Sequence, residues 1–314
     1  MKYVIGVDGG GTKTEASAYD LDGKVMLTSI KGFGNLLNNK EIALDNIVSS
    51  IKEIIDRFGI SELRGVYLGI AGCEVDENAK IISDTIKNEL KIDSVVMNDA
   101  EIALKAMLKG KDGILTIAGT GSIAFGINKN VTSRCGGWGS LLGDEGSGYR
   151  ISIDVIKRMI FEEEHSLPQS ELTKKIMTKL EINSVNEITK FVYSSTKDEI
   201  ASLTPIVARL GECGDAIANE ILINEGIELA KTVENVYKKL KLKSCSIALV
   251  GGVIRKAKVV RKAFEDYLRE NIVIEDIVDE EISPTIGAYY INKIKEEKGV
   301  WRDEKIRNFN IYQS

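Results

Sequence analysis

The sequence predicts an α/β protein in which one plan occurs twice: a mixed sheet opened by a hairpin and flanked by helices. Three observations carry that prediction. Strand-like and helical patterns alternate from Lys2 to Leu108, a second Gly-Thr turn at Gly119 restarts the same order, and helical periodicity dominates from Gly148 to Leu240.

In the first half, Lys2 to Val7 is a short apolar strand that empties into Asp8, three glycines and Thr12-Lys13-Thr14. Thr14 to Tyr19 alternates as a strand, Leu21 to Gly23 (LDG) makes a tight turn, and Lys24 to Ile30 returns as a third strand. Glu41 to Phe58 carries apolar residues at helical spacing with one wet face, from Ile42 and Leu44 to Ile55 and Phe58. Gly65 to Ala71 is a strand buried on both faces, Asn78 to Leu90 a helix, Ser94 to Met97 a strand and Glu101 to Leu108 a helix. The order βββαβαβα, with parallel crossovers after the hairpin, requires a mixed sheet.

The second half begins again with Gly113 to Ala118, apolar, followed by Gly119-Thr120-Gly121-Ser122, a strand from Ile123 to Ile127, a turn at Asn128 to Asn130 and a strand from Val131. Two Gly-Thr loops of one kind, facing each other, would grip a polyphosphate from two sides; Gly-Thr turns before hairpins are also common without a ligand. Helices are predicted over 148–163, 171–180, 186–193, 197–210 and 215–240, with Pro168 and Pro205 near helix starts. Ser246 to Val250 is a strand ending in Gly251-Gly252, followed by a helix from Lys256 to Arg269, a strand from Asn271 to Glu275 and a last helix from Thr285 to Lys298, with Pro284 at its start. The expected division is 1–118 with 284–298, then 119–283, then a polar tail 299–314 bearing Trp301, Phe309 and Tyr312.

Composition removes several function classes. A length of 314 residues with 43% hydrophobic residues fills two cores. The net charge of −5, spread without blocks, points away from nucleic acid and anionic membranes. Cys73, Cys135, Cys213 and Cys245 are dispersed with no CxxC pair, against a zinc ribbon or a thioredoxin-type site. No apolar run approaches the roughly 20 residues of a membrane span, and Met1 leads straight into a strand with no signal-peptide core, so the cytoplasm is expected. The single histidine, His165, lies in the polar run FEEEHS, so a general base is expected to be a carboxylate.

The candidate chemistry sits in three places. In Gly6 to Thr14, glycines let successive N–H groups, the Thr12 hydroxyl and Lys13 converge on phosphate, and Asp8 stands where a nucleotide's metal ion would arrive. The alternative is a glycine-rich hairpin turn with a buried aspartate. The Walker A motif fails, because Thr12 stands where GxxxxGK[ST] needs lysine. In Cys135 to Gly148, six glycines in fourteen residues surround Trp138 and a Gly-Asp-Glu-Gly core. Gly136 and Gly137 would offer backbone groups, Trp138 an apolar cover and Asp144 an acceptor for hydroxyls, a mixture suited to a sugar. The alternative makes this a structural glycine crossing in which Asp144 caps the helix near Tyr149. Finally, Asp99 precedes the helix Glu101 to Leu108, where the helix N-terminus would keep it ionised; capping is the competing role and the more ordinary one.

VDGGGTKTEASAYDLDG, MNDAEIAL, IAGTGSIAFG, CGGWGSLLGDEGSGYRIS, LVGGVIRKA and SPTIGAYY, in that order from Lys2 to about Lys298, resemble the N-acetylglucosamine kinase branch of the BadF/BadG/BcrA/BcrD-type ATPases. That family also includes the activator ATPases of 2-hydroxyacyl-CoA dehydratases. The resemblance implies the two-lobe actin-like (ribonuclease H-like) fold shared with hexokinase and Hsp70, with a helical insertion in the second lobe. It implies ATP and Mg²⁺ as cofactors, with phosphate loops at Gly10, Gly11, Thr12, Lys13 and at Thr120, Gly121 and Ser122, and with Asp8 near the metal, reached through water. Gly251, Gly252 and the Gly211 region resemble the adenosine pocket. Asn35, Ser122, Gly137, Trp138, Gly139 and Asp144 resemble sugar-binding positions, with Asp99 binding sugar and acting as general base. Ile123 departs from the polar residue that some sugar kinases of the family carry there.

The expected activity is transfer of the ATP γ-phosphoryl to a hydroxyl, O6, of an N-acetylated amino sugar: N-acetylglucosamine, N-acetylmuramic acid or glucosamine. The partners expected are the sugar, ATP and, by resemblance, a second copy in a homodimer, with lobe closure excluding water. The alternatives are an activator ATPase, which by resemblance holds an iron–sulfur cluster through close cysteines, and a sugar-sensing regulator, which would carry a DNA-binding segment.

Overall fold

The computed structural model describes residues 1–129 and 131–297. Asn130 of the second hairpin turn, Lys298 and the expected tail 299–314 lie outside the described residues. The chain divides into two compact units, Met1–Gly113 with the segment from Glu280, and Ile114–Asp279.

The first unit runs β1 (Tyr3–Gly9), β2 (Thr14–Asp20), β3 (Val25–Lys31), α1 (Lys40–Phe58), β4 (Leu63–Ile70), α2 (Asn78–Leu90), β5 (Val95–Met97) and α3 (Asp99–Met107). Its sheet has the order β3-β2-β1-β4-β5, antiparallel across the hairpins and parallel from β1 to β4 to β5. The apolar spacing of α1 and α2 becomes Ile47, Ile51, Ile54, Ile82 and Ile86, packed with Ile5, Val7 and Leu68 of the strands. Asn39 caps α1 by accepting the Ile42 N–H at 3.1 Å, and Gly59 at φ 82° ends it.

The second unit runs β6 (Gly113–Ala118), β7 (Ser122–Asn128), β8 (Val131–Gly136), α4 (Gly148–Glu164), α5 (Glu171–Leu180), α6 (Ile188–Ser194), α7 (Lys197–Ala201), α8 (Thr204–Glu212), α9 (Ala216–Lys239), β9 (Cys245–Val250), α10 (Gly252–Lys256), α11 (Lys258–Asn271) and β10 (Ile274–Val278). Its sheet order, β10-β9-β6-β7-β8, repeats the first plan: a central strand, a hairpin on one side and parallel strands on the other. Ile114, Ala124, Ile247 and Leu249 of this sheet share a core with Leu222, Leu229 and Val233 of α9 and Phe264 and Leu268 of α11. After β10 the chain re-enters the first unit through a 3₁₀ turn, Pro284–Ile286, and α12 (Gly287–Glu297). Ala288 of α12 packs with Val4, Tyr67, Met97 and Ile102 on that sheet's other face.

Three elements differ from expectation. The single helix predicted over 197–210 is two, broken at Ser202 and Leu203, because Pro205 is tolerated only in a first turn and starts α8. The helix predicted from Lys256 is likewise α10 and α11, separated at Ala257, whose φ −84°, ψ 90° is not helical. The last strand lies at Ile274–Val278 rather than 271–275: Asn271 still belongs to α11, whose stripe Val260, Phe264, Leu268 carries the helix to that point.

Candidate functional site

In the first unit, β1 delivers Asp8 to the end of the sheet and turns through Gly10 to Lys13 into β2. The turn closes with the Gly10 N–H donating to the Lys13 carbonyl at 2.9 Å. It is fastened from outside by the segment before α1. The Gly34 and Asn35 N–H groups donate to the Gly10 carbonyl at 2.9 and 3.1 Å, and Asn38 Nδ2 to the Gly11 carbonyl at 3.0 Å. This approach needs glycine: a Cβ on Gly34 would lie 2.6 Å from Thr14 Oγ1 and 2.9 Å from Gly9 Cα. Asn35, an expected sugar contact, is therefore tied directly to the expected phosphate turn. Its Oδ1 also accepts the Leu37 N–H at 2.9 Å. Gly11, Thr12 and Lys13 are exposed.

Asp99 is half-buried and is the first residue of α3. The competing role, capping of the helix, falls to Asn98, its Oδ1 accepting the Ala100 N–H at 2.9 Å while its Nδ2 donates to Glu74 Oε2 at 2.9 Å. Asp99 Oδ1 accepts that same Ala100 N–H, at 2.9 Å. Gly69 makes room for this turn, since a Cβ there would lie 2.1 Å from Ile102 Cγ2 and 3.3 Å from Asp99 Cα. Because Asp8 pairs across to Gly69 and Gly69 to Met97, Asp8 lies near the carboxyl end of β1 and Asp99 just beyond that of β5, with β4 between them.

Burial raises Asp99 above the ordinary carboxylate range, helped by Glu74 and opposed by the Ala100 N–H, the reverse of the shift a helix N-terminus alone produces. Burial, then Asp99 and Glu15, push Asp8 up to about 6, with Lys13 pulling it down. Lys13 pairs with Glu15 at 2.8 Å, Glu15 accepts from Ser283 Oγ at 2.6 Å, and the chain continues through Thr285 to Tyr19, each step 2.7 Å.

In the second unit, the corresponding turn is locked to the glycine-rich loop. The Gly119 N–H donates to the Gly121 carbonyl at 2.9 Å, while the Gly148 and Tyr149 N–H groups at the start of α4 donate to the Gly119 and Thr120 carbonyls at 2.8 and 3.2 Å. Ser122 Oγ donates to the Glu145 carbonyl at 2.7 Å, and the Gly137 N–H to the Ser122 carbonyl at 3.0 Å. Gly251, at φ 108°, sits so close that a Cβ would lie 2.3 Å from the Ala118 carbonyl oxygen. Thr120, Gly121, Ser122, Gly137, Asp144 and Gly251 thus form one neighbourhood, with Gly252 opening α10 beside it. Gly211 is buried where α8 crosses α9, against Leu222 and Asn219. Ile123 lies against Gly137, where a Cβ would meet its Cδ1 at 2.7 Å. Trp138 is 58% exposed with the Arg134 guanidinium 5.1 Å from its ring centroid, and Gly139, at φ 86°, turns the chain beyond it.

Asp144 is 2% exposed and does not cap α4; Ser147 does, accepting the Arg150 N–H at 3.1 Å. Its carboxylate is instead paired with Lys197 at 2.5 Å. The loop's next turn hangs on Glu225, buried in α9, whose carboxylate accepts the Gly146 N–H at 2.6 Å. Burial, with Asp154 adding to it and the Gly146 N–H and Arg150 opposing, pushes Glu225 up to about 8. Sequence reasoning missed both residues. Glu225 had a signal, an acid inside the apolar stripe Leu222, Gly226, Leu229; Lys197 had none.

Two mixed sheets, each with a hairpin beside its central strand and a tight turn at that strand's end, define the actin-like α/β class. The chain belongs to the BadF/BadG/BcrA/BcrD ATPase family, whose pattern matches residues 5–291. It is 35% identical over 300 residues to the N-acetylmuramic acid/N-acetylglucosamine kinase of Clostridium acetobutylicum, covering 93% of this chain and 98% of that one. It is 28% identical to the N-acetyl-D-glucosamine kinase of Dictyostelium discoideum, covering 90% and 95%. Among solved structures, a proposed N-acetylglucosamine kinase from Chromobacterium violaceum superposes with a TM-score of 0.65 at 20% identity, covering 93% and 99%.

Proposed function

We propose that the chain is an ATP-dependent kinase that transfers the γ-phosphoryl group to a hydroxyl, O6, of an N-acetylated amino sugar. The observation that carries the reading is Asp99: a half-buried carboxylate at a helix start, its capping duty taken by Asn98, beside Asp8 at the strand ends. Its raised proton affinity suits a general base, a contribution worth roughly 10² to 10⁴ in rate. Asp99 takes the proton of the sugar hydroxyl as the O–P bond forms and the bond to the ADP leaving group breaks. Backbone N–H groups of Gly11 to Lys13, in the turn that Gly10 closes, and of Thr120 and Gly121, with the Lys13 ammonium, serve the phosphates. Gly251 and Gly252, with Gly211, serve the adenosine; Asn35, Ser122, Gly137, Trp138, Gly139 and Asp144 serve the sugar.

The residues present fit Mg²⁺ carried by the nucleotide. Asp8 is a hard oxygen donor pushed up to about 6 by burial and then by the neighbouring carboxylates. Among the described residues no group of three or more ligating side chains could hold a metal ion, so most ligands would come from phosphate and water. The ion would neutralise charge on the phosphates. In this reading the enzyme is cytoplasmic and homodimeric and serves cell wall recycling; the dimer rests on the resemblance, and light scattering checks it.

The named relatives are sugar kinases, which does not favour the activator ATPase. The experiment is ADP release measured with N-acetylglucosamine, N-acetylmuramic acid and glucosamine in turn. Sugar-dependent release is expected; hydrolysis indifferent to sugar, or iron absorbance in the pure protein, would return the activator reading.

A further inference from the structure

We infer that Lys197 sets the charge preference of the sugar site, favouring an amino sugar that bears a carboxylate and disfavouring one that bears a free ammonium. The inference rests on the kinase reading and deepens it. Asp144 is the one acid among the sugar positions expected in this unit, its side chain is 3% exposed, and Lys197 pairs with it at 2.5 Å. The pair lies against the Gly-Thr turn: a Cβ on Gly121 would meet Lys197 Nζ at 2.8 Å and Asp144 Oδ2 at 2.9 Å. Lysine at this place is held, not adventitious. It is the first residue of α7, which Thr196 and Glu199 cap reciprocally, and α7 sits on the start of α4, where Ala201 and Thr204 face Gly148.

An ammonium has three N–H donors, and Asp144 is the one hydrogen-bond partner of Lys197 among the described residues. The Lys197 side chain is 37% exposed, so it remains within reach of a ligand. The pair presents hydroxyl groups with the Asp144 oxygens as acceptors, and presents anything charged with a fixed cation. N-acetylglucosamine is neutral and answers only to Asp144. A carboxylate-bearing sugar such as N-acetylmuramic acid gains from the ammonium, whereas protonated glucosamine is repelled by it. Replacing Lys197 by a neutral residue moves the site by one unit of charge toward negative, which must shift these sugars in opposite directions.

The test is kcat/KM for N-acetylmuramic acid, N-acetylglucosamine and glucosamine in the parent, Lys197→Gln and Lys197→Arg proteins. In K197Q the N-acetylmuramic acid to N-acetylglucosamine ratio should fall about tenfold or more, while the glucosamine to N-acetylglucosamine ratio rises. K197R should keep the parent's ratios. Equal losses on all three sugars in K197Q, or K197R behaving as K197Q, would show that Lys197 merely props Asp144 and overturn the inference. Should K197Q not fold, the parent decides: its preference for the carboxylate sugar should weaken as salt rises from about 0.05 to 0.5 M, and a salt-independent ratio overturns it. A parent that phosphorylates none of the three sugars refutes the kinase reading itself, a different result from active kinases with unmoved ratios.

Discussion

The two units open with the same device, a strand, a Gly-Thr turn and a hairpin, yet they treat their acids differently. In the first, burial and then Asp99 and Glu15 raise the proton affinity of Asp8, burial and Glu74 raise that of Asp99, and the cation at hand, Lys13, is exposed and engaged by Glu15. In the second, the acid beside the turn, Asp144, is buried and matched by its own ammonium. Unpaired negative charge is costly unless something is to arrive and relieve it, a metal ion or a proton. A matched acid suits an uncharged polar ligand. On the proposed kinase reading, the same fold unit, given different acid bookkeeping, serves proton and metal chemistry in one copy and recognition in the other.

That contrast can be broken experimentally. Asp99→Ala should have the largest effect, lowering kcat by about 10² to 10⁴ while ATP still binds; a near-normal kcat in steady-state assays would remove the base from the first unit. Asp144→Ala should act next most strongly and on a different parameter. It should raise the sugar KM by about 10- to 100-fold, as expected for lost hydrogen bonds to a charged acceptor, with little change in the KM for ATP. Equal rises in both would erase the division of labour.

The smallest effect concerns pH. Glu225 is pushed up to about 8, so the folded chain holds a proton that the unfolded chain releases near the ordinary carboxylate value. The sign follows: that contribution to stability is present at acid pH and is lost as pH rises through about 8. Glu225→Gln, whose amide oxygen still accepts the Gly146 N–H, should flatten the fall in Tm between about pH 5 and 9. An unchanged slope in thermal melts would mean that Glu225 is ionised throughout, and the second unit's acids would all be of the matched kind.

Much of this was legible before any coordinates. The period of Ile47, Ile51 and Ile54 named α1 and its buried face, and the glycine turns at Gly10 and Gly119 placed both hairpins. The strand at Ile274–Val278 was displaced because it is an edge strand with Glu275 and Asp276 exposed, so no apolar alternation marks it. For Asp99, position near a helix start could not reveal that Asn98 takes the cap; two candidates stood side by side and only geometry separates them. Lys197 was invisible for a plainer reason. It meets Asp144 across 53 residues of sequence, from a short helix whose local pattern says only surface.

The return of the chain through Pro284 to α12 has a consequence for how the protein is made. Tyr19 waits for Thr285, 266 residues later, and a Cβ on Gly6 would lie 1.9 Å from the Thr285 carbonyl oxygen, so β1 is shaped to receive a segment synthesised after the second unit. Tyr67 likewise reaches Asn292. On the ribosome the second unit emerges whole before the first is complete, and during that interval one face of the first sheet has α3 as cover without α12. The part of the molecule begun first is finished last, and a chain that stops short of α12 leaves it open.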